Sequence, residues 1–373
     1  MTITKFATTL GAVFITALLV SAAVSAQDLN LANAKSWTVS GRVQLQHEVD
    51  TKAEDNEIKT TNGFRIRRGR FQVKAKLTKF ISTKFQIEVR DNSPKLKDAE
   101  GKMKFGGNTY MRFGQFKVPV WREELRSSSK LMLVERSEAA EFLVDWNLSS
   151  RQIGVEFGGE IADKVEFAVN YSNGAGAAGR EDAGEEKVNS VNKFEFINNG
   201  KLITGRITYP VSKNIEFGVS AALNNLGTKI GNNDATGTVS VVTPDVGLEL
   251  DLSENSDLTI EGNVAFGSID KVFSSNNEAV SFRLYDVTGQ WLTKFAEASE
   301  NLAGMDKIGF AAGIYNIEPN TDVEKDEEVG IRFGPIFYFG KKSRLQVNGE
   351  ITNYAADDAE SDFKVRSQLT FNF

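Results

Sequence analysis

The chain has 373 residues, with 44 Lys and Arg, 50 Asp and Glu, one histidine and no cysteine, for a formal net charge of −6. A disulfide framework, a thiolate metal site and a lipid-bearing cysteine are thereby excluded, and nothing in the charge points to nucleic acid. With 25% charged residues, no stretch beyond the N-terminus approaches the roughly 18 apolar residues a spanning helix needs.

Lys5 precedes an apolar run from Leu10 to Val20, and Val24-Ser25-Ala26 has the small-residue form of an export cleavage site. Residues 1–26 are read as a signal peptide cleaved after Ala26, and residues 27–373 as the folded unit. Trp37, Val39, Gly41, Val43, Leu45 and Val49 then alternate with Thr38, Ser40, Arg42, Gln44, Gln46 and Glu48. Strand side chains point alternately to opposite faces, so this segment has one apolar and one polar face. His47 falls on the apolar parity near the strand end, as an interfacial side chain would. A polar stretch, 50–63, reads as an exposed loop.

The rhythm repeats along the chain. Phe71, Val73, Ala75 and Leu77 oppose Gln72, Lys74 and Lys76; Phe85, Ile87 and Val89 oppose Lys84, Gln86, Glu88 and Arg90. Ala99, Gly101, Met103 and Phe105 come before a tight turn at Gly106-Gly107-Asn108. Further apolar faces lie at 153–157, 165–171, 203–209, 215–221, 246–252, 258–266, 337–339 and 345–351. Short connections at 78–82, 106–108, 159–163, 210–214, 253–257 and 340–343 alternate with long polar ones at 118–150, 173–200, 225–240, 267–279, 317–327 and 355–361. The rhythm is least regular over 281–317, where two strands must fit. Sixteen strands would leave about 22 residues for each strand and its connection, which suits tilted membrane spans of roughly 9–11 residues.

At the C-terminus, Phe363, Val365, Leu369, Phe371 and Phe373 share one parity, opposite Lys364, Arg366, Gln368, Thr370 and Asn372. This aromatic-ended strand resembles the C-terminal assembly signal of bacterial outer-membrane barrels, carried by Leu369, Phe371 and Phe373. The fold class is therefore all-β: a transmembrane antiparallel β-barrel of about sixteen strands, placed in the outer membrane of a Gram-negative-type envelope. Its apolar parity faces lipid and its polar parity a wet lumen.

The densest basic cluster is Phe64-Arg-Ile-Arg-Arg-Gly-Arg-Phe71. Strict alternation puts Arg68 and Arg70 in the lumen with Lys74 but turns Arg65 and Arg67 toward lipid, where a mid-depth charge costs roughly 2–4 kcal/mol. A bulge at Arg67-Arg68 would return all four guanidinium groups to the lumen. Guanidinium donates planar, paired hydrogen bonds to phosphate or carboxylate oxygens; a basic rim that holds lipopolysaccharide phosphates is the alternative. A second basic set, Arg112, Lys117, Arg122, Arg126, Lys130, Arg136 and Arg151, flanks or lies in segment 118–150. Folded inward, that loop would bring charge to the tightest part of a pore, where basic groups select anions. Its Glu123, Glu124, Glu135, Glu138, Glu141 and Asp145 leave its net sign open.

Phe64–Phe71, Phe113-Gly-Gln-Phe-Lys-Val-Pro119, Glu124-Leu-Arg-Ser-Ser128 and Glu135-Arg-Ser137 together resemble the phosphate-selective porin O and P family. The resemblance implies a homotrimeric porin with an inward loop. It also implies a passive path for small anions, phosphate being the candidate, along Arg65, Arg67, Arg68, Arg70, Lys74 and the second basic set. Barrel-assembly machinery, outer-membrane lipid and lipopolysaccharide are the other expected partners, with no cofactor and no dedicated metal loop. A general unselective porin and a structural or adhesin barrel with acidic external loops remain the other readings. An enzyme is not expected, because His47 has no evident Ser or Asp partner with which to act as a base.

Overall fold

The fold is described from a computed structural model. It covers residues 35–373 except 55–56, 91–92, 163, 178–188, 192–193, 197–199, 227–228, 231–232, 235, 275–276 and 358. The expected signal peptide, residues 1–26, lies outside the described residues.

Strands β1 (Ser36–Glu54), β2 (Glu57–Lys76), β3 (Ile81–Arg90), β4 (Ser93–Lys104) and β5 (Tyr110–Lys117) are followed by two short helices, α1 (Arg122–Leu125) and α2 (Glu138–Asp145). Then come β6 (Arg151–Ile161), β7 (Val165–Ser172), β8 (Asn189–Val191), β9 (Phe194–Phe196), β10 (Leu202–Pro210) and β11 (Ile215–Leu226). The rest are β12 (Lys229–Ile230), β13 (Asn233–Asp234), β14 (Gly237–Ser253), β15 (Ser256–Ile269), β16 (Val280–Ser299), β17 (Met305–Glu318), β18 (Glu328–Phe339), β19 (Ser343–Tyr354) and β20 (Asp362–Asn372). Two small hairpins, β8–β9 and β12–β13, stand apart; the other sixteen strands form one closed antiparallel barrel in chain order. Pairing of β1 with β20, from Arg42 opposite Asn372 to Thr51 opposite Phe363, closes it. Closure leaves no unpaired edge, which a strand in hydrocarbon could not tolerate.

Burial is inverted relative to a water-soluble domain. Gln44, Asn224 and Thr370 face inward at 0% exposure, whereas Val39 and Phe64 face outward at 61% and 87%. An apolar exterior around a polar interior is stable only where the outer solvent is lipid.

Two expectations needed correction or resolution. The stretch 50–63, expected as a loop, continues the β1–β2 ladder out to Glu54 opposite Glu57. Every backbone group added to that ladder gains a partner, so the hairpin extends beyond the apolar belt. Residues 281–317 contain long β16 and β17, joined by the 3₁₀ turn Glu300–Leu302 and a left-handed Ala303 (φ 54°). Elsewhere Gly107 (φ 66°) and Asn108 (φ 58°) make the expected tight turn, in a conformation that these two residue types tolerate best.

The terminal aromatic locks the seam. Backbone N–H of Gly41 donates to the Phe373 carbonyl at 2.8 Å and the Phe373 N–H returns the bond at 3.1 Å. The Phe373 ring occupies the space above Gly41, where a Cβ would collide with it. Deleting Phe373 should reduce the fraction of heat-modifiable, folded barrel recovered from vesicles, while Gly41→Val should do so by displacing the same ring; full folding of both on a gel-shift assay would refute the seam role.

Candidate functional site

The chain leaves β5 and turns into the lumen at Trp121, a buried bulky residue at φ 68°, a backbone region costly for such a side chain. Val118, Val120, Trp121, Leu143, Trp146 and Leu148 then pack on an apolar patch of inner wall that includes Leu202, Val241, Phe282, Leu284 and Tyr315. α2 forms because Ser137 caps it, its hydroxyl accepting from the Ala140 N–H at 3.3 Å. Its Ala139, Ala140 and Leu143 face the wall, and its opposite face leaves Glu141 and Asp145 exposed. Burying a large apolar side chain is worth roughly 1.5–3 kcal/mol, whereas the attraction within a buried ion pair is largely offset by the desolvation of its charges. The apolar patch therefore holds the loop, and the polar contacts set its register.

A buried latch fixes both ends of that register. Arg332 on β18, 3% exposed, donates from Nη2 to Asp286 at 2.8 Å. Its Nη1 reaches Glu123 of α1 at 3.4 Å and the Glu135 carbonyl at 3.2 Å. Glu123 in turn accepts from the Ser137 N–H at 3.1 Å and hydroxyl at 2.7 Å.

The bulge in β2 is present: Gln44 pairs with Arg68 and Leu45 with Ile66, leaving Arg67 as the extra residue. Phe64 and Ile66 stay outward while all four arginines turn in. Arg65 donates to Gln46 at 2.7 Å, and Arg67 and Arg68 clamp Glu135 at 2.5 and 3.0 Å. Arg70 pairs with Glu88 at 2.5 Å. Burial raises the Glu135 pKa, but Arg68 and then Arg67 outweigh it and hold the carboxyl well below the usual range.

The second basic set is largely neutralised. Arg112 binds Glu156 at 2.7 Å and Glu100 at 3.3 Å, Lys117 binds Glu124 at 3.3 Å, and Arg151 binds Asp98 at 2.8 Å. Arg122 is held by Asp245 and Glu216, both at 2.7 Å, Arg126 by Glu261, and Arg136 by Glu124 at 2.6 Å. Lys130 is exposed on the loop. Arg122, Arg126 and Arg136 thus tie the loop to the wall and to itself.

Beneath the loop lies a cavity of about 960 Å³, with its ceiling at Pro119, Leu125, Ser127 and Ser128 and its mouth at the turns carrying Asn108 and Gly159. Ten basic and four acidic side chains line it. Arg70, Lys74, Arg112, Lys117 and Arg151 come from the sequence-predicted set, whereas Arg42, Lys84, Lys102, Lys104 and Arg206 were missed. All five missed residues sit on the inward parity of their strands, and that parity was the signal that could have found them. Arg42 and Arg70 each donate an Nη1–H to the Ser128 hydroxyl at 2.9 Å. Arg42 has no carboxylate partner among the described residues, and its buried Nε has no acceptor. Lys102 lies 3.4 Å above the Tyr110 ring.

Residues 38–190 match the family described as phosphate-selective porin O and P. Comparison with curated protein sequences gave no match. Among solved structures, the barrel is similar to the anion-selective porin from Comamonas acidovorans (TM-score 0.60, 10% identity, 91% of this chain and 99% of that one). It is also similar to the outer membrane channel DcaP of Acinetobacter baumannii (0.59, 13%, 91% and 97%) and to OmpF of Salmonella typhi in complex with daunomycin (0.60, 11%, 91% and 98%). At these identities the likeness is one of fold.

Two outcomes follow from the loop's geometry. Arg332→Gln leaves Glu123 and Asp286 buried without their cation, a loss of about 3–5 kcal/mol; single-channel recordings should show larger, noisier openings, and an unchanged trace would exclude the latch. Enclosure within the barrel, and next Glu124, push the Glu141 carboxyl up to about 7, against Arg136. A raised acid is neutral below its pKa, so the anion-to-cation permeability ratio should rise as pH falls from 8 to 6, and Glu141→Gln should remove that part of the change.

Residues 38–190 thus carry the phosphate-selective porin O and P pattern, and the whole chain has the closed sixteen-stranded barrel fold, with an inward loop, to which those solved porins are similar.

Proposed function

We propose that the protein is a passive channel for small anions, with phosphate the candidate substrate, working as a homotrimer in the outer membrane. The observation that carries this reading is the basic cavity below the loop: ten cationic side chains against four anionic ones, in a chain whose net charge is −6. A low-dielectric wall lined with one sign of charge raises the local concentration of the opposite ion. Lys74, Lys102 and Lys104 have no carboxylate partner among the described residues, and Arg42 presents an unused buried donor. A tetrahedral oxyanion offers several acceptors to such donors, while chloride offers none with direction.

The ion pairs at Arg70, Arg112, Lys117 and Arg151 temper the preference, because a guanidinium or ammonium already holding a carboxylate competes poorly for a passing anion. Lys130, exposed and free of a carboxylate among the described residues, is the loop residue best placed to meet the solute. The outward apolar belt is the surface for lipid and lipopolysaccharide, and Leu369, Phe371 and Phe373 are the surface for the assembly machinery.

Planar-bilayer recordings test the reading. Across a KCl gradient the reversal potential should report anion preference, and phosphate should reduce the chloride current at millimolar concentration. Lys74→Gln combined with Lys102→Gln should lower the anion-to-cation permeability ratio by about two- to fivefold, and Arg42→Gln should weaken phosphate block more than it changes conductance. A cation-selective or unselective pore would overturn the anion assignment, and silent bilayers with folded protein would favour a structural barrel.

A further inference from the structure

Charge in this lumen is sorted along the pore axis as well as around it. The cavity at the short-turn end carries the basic excess described above. Midway, the loop and wall form a belt in which opposite charges are paired: Arg67 and Arg68 with Glu135, Arg126 with Glu261, Arg332 with Asp286. At the long-loop end, the β17–β18 and β19–β20 loops form an acidic sector. Among the described residues of 318–328 and 355–362, nine are Asp or Glu and one is Lys325, which bridges the two loops through Asp357 at 2.6 Å. α2 leaves Glu141 and Asp145 exposed, and Glu328 accepts from the Tyr315 hydroxyl at 2.9 Å.

We infer that the pore conducts asymmetrically, passing more current when the long-loop side is electrically positive. The deduction needs only the axial order of charge. An acidic mouth admits cations and repels anions, and a basic mouth does the reverse. With the long-loop side positive, cations enter through the acidic mouth and anions through the basic one, so both accumulate in the neutral belt and conductance rises. With the polarity reversed, each ion must enter through the mouth that repels it, and the belt is depleted. For the proposed anion traffic, which this inference extends, the basic cavity acts as a reservoir and the acidic lip as the barrier. Anions therefore leave the cavity through the lip more readily under the favourable polarity than they enter through it under the other.

The test is a current–voltage curve from single channels in symmetric KCl. Because the chain has no cysteine, Ser361→Cys on the lip, blocked by a bulky impermeant maleimide from one chamber, reports the orientation of each inserted channel. At 0.1 M salt, where screening extends about 10 Å, the current at +100 mV on the lip side should exceed that at −100 mV by about 1.5- to 3-fold. At 1 M salt, with a screening length of about 3 Å, the ratio should approach one. Neutralising the lip with Glu324→Gln, Glu327→Gln and Asp357→Asn, all on exposed or half-exposed loop positions, should bring the low-salt ratio toward one without altering the barrel's gel mobility. A linear curve at 0.1 M, rectification of the opposite sign, or a ratio indifferent to lip neutralisation would overturn the inference. Reversal potential separates the two readings: rectification with a cation-selective reversal would sustain the axial asymmetry and sink the anion assignment, while a linear curve with anion-selective reversal would do the opposite.

Discussion

Everything in this structure depends on one constraint: inside hydrocarbon, each backbone N–H and C=O must find its partner within the protein. A helix would satisfy the rule locally, but no helix among the described residues is long and apolar enough to cross a membrane. Sixteen strands satisfy it collectively, and only because β20 returns to β1. Closure forces the tilt and the strict alternation, and these decide which side chains meet lipid and which meet water. The Gly41–Phe373 pair sits at the seam where β20 meets β1.

Closure also creates the problem that the inward loop solves. A sixteen-stranded cylinder is wide enough to leave an aqueous channel, and polar walls alone would not narrow it. The loop crosses the lumen because its apolar side chains find an apolar patch on the inner face of β10–β17, where one would expect polar residues. Leu202, Val241, Phe282 and Leu284 point inward there. The ion pairs around Arg332, Arg122 and Arg126 are costly to form in a low-dielectric interior, so their role is register: they fix which part of the loop faces which wall. The free cavity is then displaced to the other side, against β2–β7, where the unpaired lysines lie.

Charge in this pore is organised by partnership more than by number. Of the twelve basic positions singled out from the sequence, most are held by carboxylates on neighbouring strands, and such pairs contribute little field at a distance. In the proposed channel, selectivity would fall to residues whose charge is not cancelled nearby, namely Arg42, Lys74, Lys102 and Lys104 below the loop and the carboxylates on the long-loop lip. The net charge of the chain predicts neither, because the sign of the sum conceals opposite signs at the two ends.

The alternation of apolar and polar residues determined the strands, their faces and their approximate number, since side-chain direction in a strand is a local property of the backbone. It also exposed the conflict in the Arg65–Arg70 segment, because charges on a lipid face are too expensive to leave unexplained, and the bulge followed from that cost. Three features needed the tertiary structure. The length of β1 and β2 past residue 50 depends on ladder hydrogen bonds that polar side chains do not advertise. The irregular rhythm over 281–317 arises because Phe282 and Leu284 serve the loop on the inner face, which puts apolar residues inward and leaves Ser281 and Arg283 on the outer face near the start of β16. Most of all, which cation is paired and which is free is set by contacts up to hundreds of residues apart, such as Arg332 with Glu123. Sequence fixes where a charge can point, but only the closed barrel decides what it meets there.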